Sequence, residues 1–503
     1  MSKLERVLQK RNAVMQEEEL KKEKQHKKNK LSAKERLELL FDKNTFVETN
    51  VFIQHRCNDF GVGEKHPDGD GVVTGYGKVN GRTVCAFAQD FTAFGGTLGE
   101  MHAKKIIDIQ NKALELMVPI VGMYDSGGAR IQEGVGALSG YGVTFFNNVK
   151  SSGIIPQISI IMGPCAGGAS YSPALTDFII MVQDSSSMFI TGPNVVEVVT
   201  GQKVTAQELG GATMHDTISG VSHMSAPNDK EAIGYAKNLL DYLPQNYREL
   251  PYVKTEVAKT IDMKLDTIIP ENSRTPYDMY DVINGIVDKG SIMEIQKMYA
   301  QNMITCFARV NGNPIGIVAN QPKCLAGCID VNASDKAARF VRTCDCYNIP
   351  IVNLVDVPGF FPGKDQEDKG IIRHGAKMLY AFSESKVTKI TILVRKAYGG
   401  SYLAMCSKEL GADYVFAWPT AEVAVMGAEG AVKILYKKQV DGNQELLNEK
   451  IREYEDNFST PYHAAKLGYI DDIILPKDTR DCITRILSNT KKINVVPHGN
   501  IPL

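Results

Sequence analysis

Short apolar runs rich in β-branched residues alternate along the chain with longer segments of mixed polarity. The run 119–124, Pro-Ile-Val-Gly-Met-Tyr, ends at Asp125-Ser126-Gly127-Gly128-Ala129-Arg130. The run 158–162, Ile-Ser-Ile-Ile-Met, leads to Gly163-Pro164-Cys165-Ala166-Gly167-Gly168-Ala169. Further on, 351–355 leads to Asp356-Val357-Pro358-Gly359-Phe360, and 390–394 leads to Arg395-Lys396-Ala397-Tyr398-Gly399-Gly400-Ser401. Continuous apolar runs closed by glycine read as buried strands entering turns. Strands that alternate with helices of 10–15 residues predict an α/β fold. Residues 1–45 read as helical instead, and Ser32 with Glu35 makes a capping-box pattern ahead of residues 36–41.

The pattern occurs twice. Val79-Asn80-Gly81 recurs as Val310-Asn311-Gly312, and Pro119-Ile120-Val121 as Pro350-Ile351-Val352, both at an offset of 231. Gly167-Gly168 recurs as Gly399-Gly400 at 232, Gly192 as Gly427 at 235, and Leu209-Gly210 as Leu467-Gly468 at 258. Five matches in one order, with a growing offset, predict two copies of one domain. The added length falls near 431–457, where 444–450 reads as an inserted charged helix. Residues 245–278, rich in charge and proline, read as the linker. The expected domains are 1–255 and 256–503.

Composition narrows the class. Lys+Arg is 57 and Asp+Glu is 58, a formal net charge of -1 over 503 residues, which gives no footprint for nucleic-acid binding. No window of about 18 apolar residues is uninterrupted, so no membrane insertion is expected. The N-terminus lacks the apolar core of a secretory signal. With ten cysteines scattered along it, the chain reads as cytoplasmic, its thiols reduced and buried. Cys324-x3-Cys328 and Cys344-x-Cys346 lack the paired spacing and histidine partners of zinc sites, so no metal is expected. The basic run 21–30 reads as a solvated helical arm or as a surface that attracts a phosphorylated ligand.

The glycines carry the candidate chemistry. A strand that ends in Gly-Gly and opens a helix presents unpaired backbone N–H groups at the positive end of the helix dipole. Glycine lets a ligand approach that backbone closely. Two such turns on neighbouring strands could aim two N–H groups at one oxygen, the geometry of an oxyanion hole. The turns Gly127-Gly128-Ala129 with Gly167-Gly168-Ala169, and Gly359-Phe360 with Gly399-Gly400-Ser401, meet that requirement once per copy. Competing motifs fail. Gly359-x3-Gly363-Lys364-Asp365 is a residue short of a P-loop, and Asp365 stands where the magnesium-binding hydroxyl belongs. A dinucleotide fingerprint, a G-x-S-x-G elbow and H-E-x-x-H are absent, and the nine histidines form no pair at metal spacing. Backbone donors without a side-chain nucleophile suit an enzyme that stabilises enolates.

The motifs 125–134, 163–178, 355–363 and 395–405 resemble those of the carboxyltransferase subunits of biotin-dependent acyl-CoA carboxylases and decarboxylases. The resemblance runs from about residue 30 to the C-terminus. It is strongest to the methylmalonyl-CoA decarboxylase and transcarboxylase branches, with propionyl-CoA carboxylase next. It implies tandem crotonase-like domains, each a ββα superhelix, in a homo-oligomer, commonly a hexamer, with active sites between protomers. The first copy would bind the CoA thioester substrate and the second the biotin. Gly168 and Ala169, with Gly128 and Ala129, would donate to the thioester enolate. Gly400 and Ser401, with Gly359 and Phe360, would donate to the biotin ureido oxygen.

Leu403 stands where propionyl-CoA carboxylase subunits usually carry Asp, which leans toward the decarboxylase branch. Without an Ala-Met-Lys-Met motif in the chain, the biotin would arrive on a separate biotin carboxyl carrier protein. Either a membrane sodium-pump decarboxylase subunit or a biotin carboxylase subunit would complete the complex. The alternatives are a propionyl-CoA carboxylase β subunit working toward carboxylation, a biotin-independent crotonase-type CoA enzyme, and a non-catalytic CoA-binding scaffold. The last two need no second Gly-Gly set.

Overall fold

The computed structural model describes residues 2–502. The chain divides into two compact units, one of residues 2–247 with Pro497–Pro502 and one of residues 248–496.

In the first unit, eight strands form one sheet. They are β1 (Val47–Thr49), β2 (Val72–Val79), β3 (Arg82–Gln89), β4 (Ile120–Ser126), β5 (Gln157–Ala166), β6 (Phe178–Val182), β7 (Ser187–Phe189) and β8 (Met224–Ala226). Their order is β1-β2-β3-β4-β5-β6-β8, with β7 paired to the end of β5. The hairpin β2–β3 is antiparallel, and β3 to β6 run parallel. Of the parallel strands, β4 and β6 are buried along their whole length and β3 and β5 along most of theirs, which explains why they read as apolar runs.

The second unit repeats this plan with β9 (Met293–Ile295), β10 (Met303–Val310), β11 (Asn313–Asn320), β12 (Ile351–Val357), β13 (Lys389–Tyr398), β14 (Tyr414–Ala417), β15 (Glu422–Ala424) and β16 (Asp472–Ile473). Read from β9, the order is β9-β10-β11-β12-β13-β14-β16, with β15 paired to the end of β13. Strand for strand, the two sheets have one topology. The α/β class and the internal duplication expected from the sequence are both present.

The repeated Asn-Gly has a local cause. Asn80 and Gly81 take φ of 48° and 78°, and Asn311 and Gly312 take 51° and 77°. Two consecutive residues in the left-handed region make the two-residue hairpin turn whose twist matches the flanking strands, and Asn-Gly is the pair that adopts it most readily.

Helices cover the sheets. In the first unit α1 (Lys3–His26) and α2 (Ala33–Leu40) form the N-terminal arm, and Ser32 and Glu35 close the expected capping box. The helices α3 (Glu100–Leu116), α4 (Val135–Ser151) and α5 (Gly168–Ala174) follow β3, β4 and β5. Their counterparts in the second unit are Val331–Cys346, Ile371–Glu384 and Gly399–Ala404. The inserted charged helix is Gln444–Tyr454. Phe87, Leu98, Ile106, Tyr124 and Ile161 lie in the core of the first unit. Ile283, Ile304, Leu354, Ile392 and Trp418 lie in that of the second.

Two expectations need correction. The end of the chain, assigned by sequence to the second domain, folds with the first unit. There the Asn500 backbone N–H donates to Ser152 Oγ and its amide to Asp177 Oδ1, at 2.8 and 2.7 Å. Two side-chain hydrogen bonds outweigh proximity along the chain. The cysteines are all free thiols, but Cys57, Cys324, Cys328 and Cys482 are only half-buried. Cys324 and Cys328 flank the tight turn Leu325–Gly327, in which Leu325 and Ala326 are exposed and Gly327 is buried.

Candidate functional site

Each unit brings its two glycine turns side by side. In the first, Ser126 of β4 pairs with Cys165 of β5, and Gly128 and Gly167 each lie two residues beyond. In the second, Val357 of β12 pairs with Ala397 of β13, with Gly359 and Gly399 two residues beyond. In both pairs the second strand carries two extra residues just before the match, between Ile161 and Cys165 and between Leu393 and Ala397. This bulge re-aims the strand end as it enters its helix.

The turns approach closely. Gly128 has φ of 104°, and a Cβ there would lie 2.9 Å from the Ala166 carbonyl oxygen. Gly399 has φ of 55°, and a Cβ there would lie 2.8 Å from the Val425 carbonyl oxygen. No side chain satisfies both demands, so these positions require glycine.

Gly168 and Ala169 open α5, and no side chain caps that helix. Gly400 and Ser401 lie in the first turn of Gly399–Ala404, also without a side-chain cap. First-turn N–H groups have no acceptor within their own helix. The first turn of each pair is threaded by the segment after β3 or β11. Leu98 N–H donates to the Gly128 carbonyl and Arg130 N–H to the Leu98 carbonyl, both at 2.9 Å. In the second unit, Ile329 N–H donates to the Gly359 carbonyl and Phe361 N–H to the Ile329 carbonyl. These bonds leave the N–H of the intervening residue, Ala129 or Phe360, outside the ladder. Gly127 is exposed, and Gly167 and Gly399 are half-buried.

The surroundings differ. A Cβ on Gly168 would meet the Tyr141 ring at 3.2 Å, whereas Gly359 and Gly400 have nothing within 4 Å. Leu403 is 42% exposed, so core packing does not account for it.

The phenols, the thiol and the imidazole buried near the turns are held neutral by burial. In the first unit burial pushes the Tyr124 phenol up to about 12 and raises the Tyr141 phenol and Cys165 thiol further. His102, fully buried, is pushed down to about 3 and donates or accepts only within the fold, to Asp70 O and Gln89. In the second unit burial, reinforced by Glu422 beside it, raises the Tyr398 phenol, and burial raises Tyr402. Among the described residues no thiolate or free imidazole base stands at either turn, although the Gly128 N–H is already taken by Ser126 Oγ at 3.1 Å.

Sequence reasoning missed a second duplicated feature. Asp125 and Asp356, 231 apart, are buried at the ends of β4 and β12 beneath the turns. Gln89 and Asn320, again 231 apart, accept from their backbone N–H groups at 3.2 Å. The signal was available, since an aspartate precedes the glycine turn by two or three residues in both copies. The basic run also proves mixed. Lys21 pairs with Glu17 and Asp90, and Lys30 is buried against Asp125. Lys24, Lys27 and Lys28 are exposed.

Comparison with known proteins identifies this architecture. A family model described as "Carboxyl transferase domain" matches residues 24–497. The chain belongs to the carboxyl transferase family. It is 57% identical over 487 residues to the methylmalonyl-CoA decarboxylase subunit alpha of Veillonella parvula, covering 96% of this chain and 95% of that one. It is 51% identical to the propionyl-CoA carboxylase beta chain of Cereibacter sphaeroides, with 96% and 95% covered. The crystal structure of transcarboxylase 12S, described as a hexamer with methylmalonyl-coenzyme A and methylmalonic acid bound, superposes with a TM-score of 0.94 at 51% identity. That match covers 99% of this chain and 98% of that one. The two units of this carboxyl transferase are thus crotonase-like domains in tandem.

Proposed function

We propose that the chain moves a carboxyl group between a short malonyl-type acyl-CoA, methylmalonyl-CoA foremost, and biotin carried on a separate protein, within a biotin-dependent decarboxylase complex. One observation carries the reading. A pair of glycine turns able to form an oxyanion hole is built twice on one plan, as a transfer between two acceptors requires.

In the first unit, loss of the carboxyl group from the thioester moves an electron pair onto the thioester oxygen. Gly168 and Ala169, with Ala129, would donate N–H groups to that oxyanion, whereas the Gly128 N–H, also expected there, donates to Ser126 Oγ at 3.1 Å. Each such donor is worth about 2.7–4 kcal/mol in enzymes where one has been removed. Biotin, when bound, supplies a ureido nitrogen that accepts or gives up the carboxyl group. Gly400 and Ser401, with Gly359 and Phe360, would hold its ureido oxygen. The open space at Gly359 and Gly400, which a larger side chain would fill, fits that group. The electrons of the broken carbon–carbon bond become the enolate, whose carbon would take up the proton displaced from the biotin nitrogen, so no separate side-chain base would be needed.

Leu403, apolar and half-exposed beside the second turn, favours the decarboxylase direction over the propionyl-CoA carboxylase direction. The assembly we propose is a homo-hexamer that works with a biotin carboxyl carrier protein in the cytoplasm. Among the described residues no helix is long and apolar enough to cross a membrane, so a sodium-pump subunit would be a separate chain. The test mixes the purified chain with free biotin and methylmalonyl-CoA and follows propionyl-CoA. Biotin-dependent formation is expected, and a folded chain without it would overturn the reading.

A further inference from the structure

The two buried aspartates are neutralised in different ways. In the second unit, Arg395 on the β13 bulge donates through Nε to Asp356 Oδ2 at 3.0 Å. The next residue, Lys396, donates its backbone N–H to Asp356 Oδ1 at 3.1 Å. Both carboxylate oxygens are satisfied from one strand.

In the first unit the equivalent bulge positions are Gly163 and Pro164. Glycine brings no cation and proline has no N–H. Accordingly, Asp125 Oδ1 is buried without a hydrogen-bond partner. Asp125 Oδ2 instead takes Lys30 Nζ at 2.5 Å and Arg36 Nη1 at 3.1 Å, both from the N-terminal arm. A Cβ on Gly163 would lie 1.9 Å from Asp125 Oδ1 and 2.7 Å from Lys30 Nζ, so the lysine fills the room an arginine side chain occupies in the other copy. The arm is held in turn by Asp229, whose Oδ2 accepts from Arg36 Nε and from the Leu31 backbone N–H. All four charged side chains are buried.

Asp125 stands two residues before Gly127. Its backbone carbonyl lies so close to Gly96 that a Cβ there would be 2.1 Å away. Its carboxylate reaches across to β5. The residue therefore links both donor turns. A buried carboxylate that loses its cation is strongly disfavoured and must shift or take up a proton. A shift of about 1 Å in such a site can cost on the order of 100-fold in rate.

We infer that Lys30 and Arg36 are positioning residues for the first donor turn, supplied by the N-terminal arm in place of the strand arginine of the second unit. This rests on the reading of that turn as the thioester oxyanion hole. Arg36 alone still pairs Asp125 when Lys30 is lost, so Lys30 variants keep the fold and isolate the positioning effect.

The experiment compares wild type, Lys30→Met and Lys30→Arg in the full chain. Turnover of methylmalonyl-CoA with free biotin is measured together with hydrogen–deuterium exchange at Gly128–Ala129 and Gly359–Phe360. Lys30→Met is expected to lower kcat at least tenfold, to leave KM for methylmalonyl-CoA within threefold and KM for biotin unchanged. It should speed exchange at Gly128–Ala129 at least fivefold while Gly359–Phe360 keeps its wild-type rate. Lys30→Arg should recover at least half of the wild-type kcat. Unchanged exchange at Gly128–Ala129, or faster exchange at both turns alike, would overturn the inference, as would a kcat loss that arginine does not rescue. A wild-type chain without turnover would remove the functional reading alone, and the exchange comparison would still decide the positioning role.

Discussion

The turn at Gly168 packs under the Tyr141 ring, whereas its counterpart at Gly400 opens onto free space. Strand order, the bulge, the buried aspartate and the glycines at 128 and 359, 167 and 399, and 168 and 400 repeat, while Gly128 takes φ of 104°, Gly359 lies outside the left-handed region and Pro358 stands where the first unit has Gly127. What changes is the side chains around that backbone and where the counter-charge comes from. The duplication thus preserved the donor geometry, and each copy diverged in what its turn can receive and in what holds it.

The sharpest way to break this comparison is Gly400→Val. Gly400 lies outside the left-handed region and has open space around its Cβ position, so valine, a better helix former than glycine by a few tenths of a kcal/mol, leaves the fold intact. It fills the second turn, however. Turnover should fall by more than about 10³, while methylmalonyl-CoA binding measured by calorimetry stays within threefold. Equal loss of acyl-CoA binding would reverse the assignment of the two units.

Next in size is Arg395→Met. It leaves Asp356 buried with a single backbone donor and removes the cation stacked 4.8 Å from the Tyr277 ring. A broken buried pair costs about 3–5 kcal/mol. Lys30→Met should cost clearly less, because Arg36 remains on Asp125. Urea midpoints that rank the two variants the other way would remove the contrast between a strand-borne and an arm-borne counter-ion.

The matched hairpins provide a smaller test. Gly81 and Gly312 share a left-handed φ, so alanine strains both by about 1 kcal/mol. Only at Gly312 would the new Cβ collide with backbone, 2.0 Å from the Lys254 carbonyl oxygen. Gly312→Ala should therefore destabilise by about 1–3 kcal/mol more than Gly81→Ala. Equal melting shifts would contradict the packing difference.

The smallest effect concerns Lys105 and Lys336, a buried lysine repeated at an offset of 231. Each donates to backbone carbonyls, Lys105 to Gly69 and Val72, Lys336 to Gln296 and Tyr299. Burial pushes Lys105 down to about 8. Between about pH 8 and the unfolded value near 10.4 the unfolded chain then holds the extra proton, so stability from this group rises with pH across that window and is lost as pH falls through about 8. Urea midpoints of wild type should rise relative to Lys105→Met between pH 8 and 10. A flat difference would show that Lys105 keeps its charge.

Much of this was readable from residues alone. Asn-Gly at 80–81 and 311–312 marks the hairpins because few other pairs tolerate two left-handed residues. Ser32 and Glu35 announce α2 because their hydrogen bonds are local. Gly128, Gly168, Gly359 and Gly400 were found because strand, glycine and helix follow one another in sequence. Lys30 on Asp125 was not legible, since it joins positions 95 residues apart and is needed only because Gly163 and Pro164 remove what Arg395 and Lys396 provide. The attachment of Pro497–Pro502 to the first unit was hidden for the same reason.

The sequence by itself determined the α/β class, the duplication and the glycine turns, because these depend on local backbone preferences and on patterns that repeat at a constant spacing. Only the tertiary structure decided which turns pair, which cation neutralises each buried aspartate and which glycine faces open space. Those outcomes depend on the packing of residues distant in the chain, where a single missing N–H or Cβ changes which partner can reach.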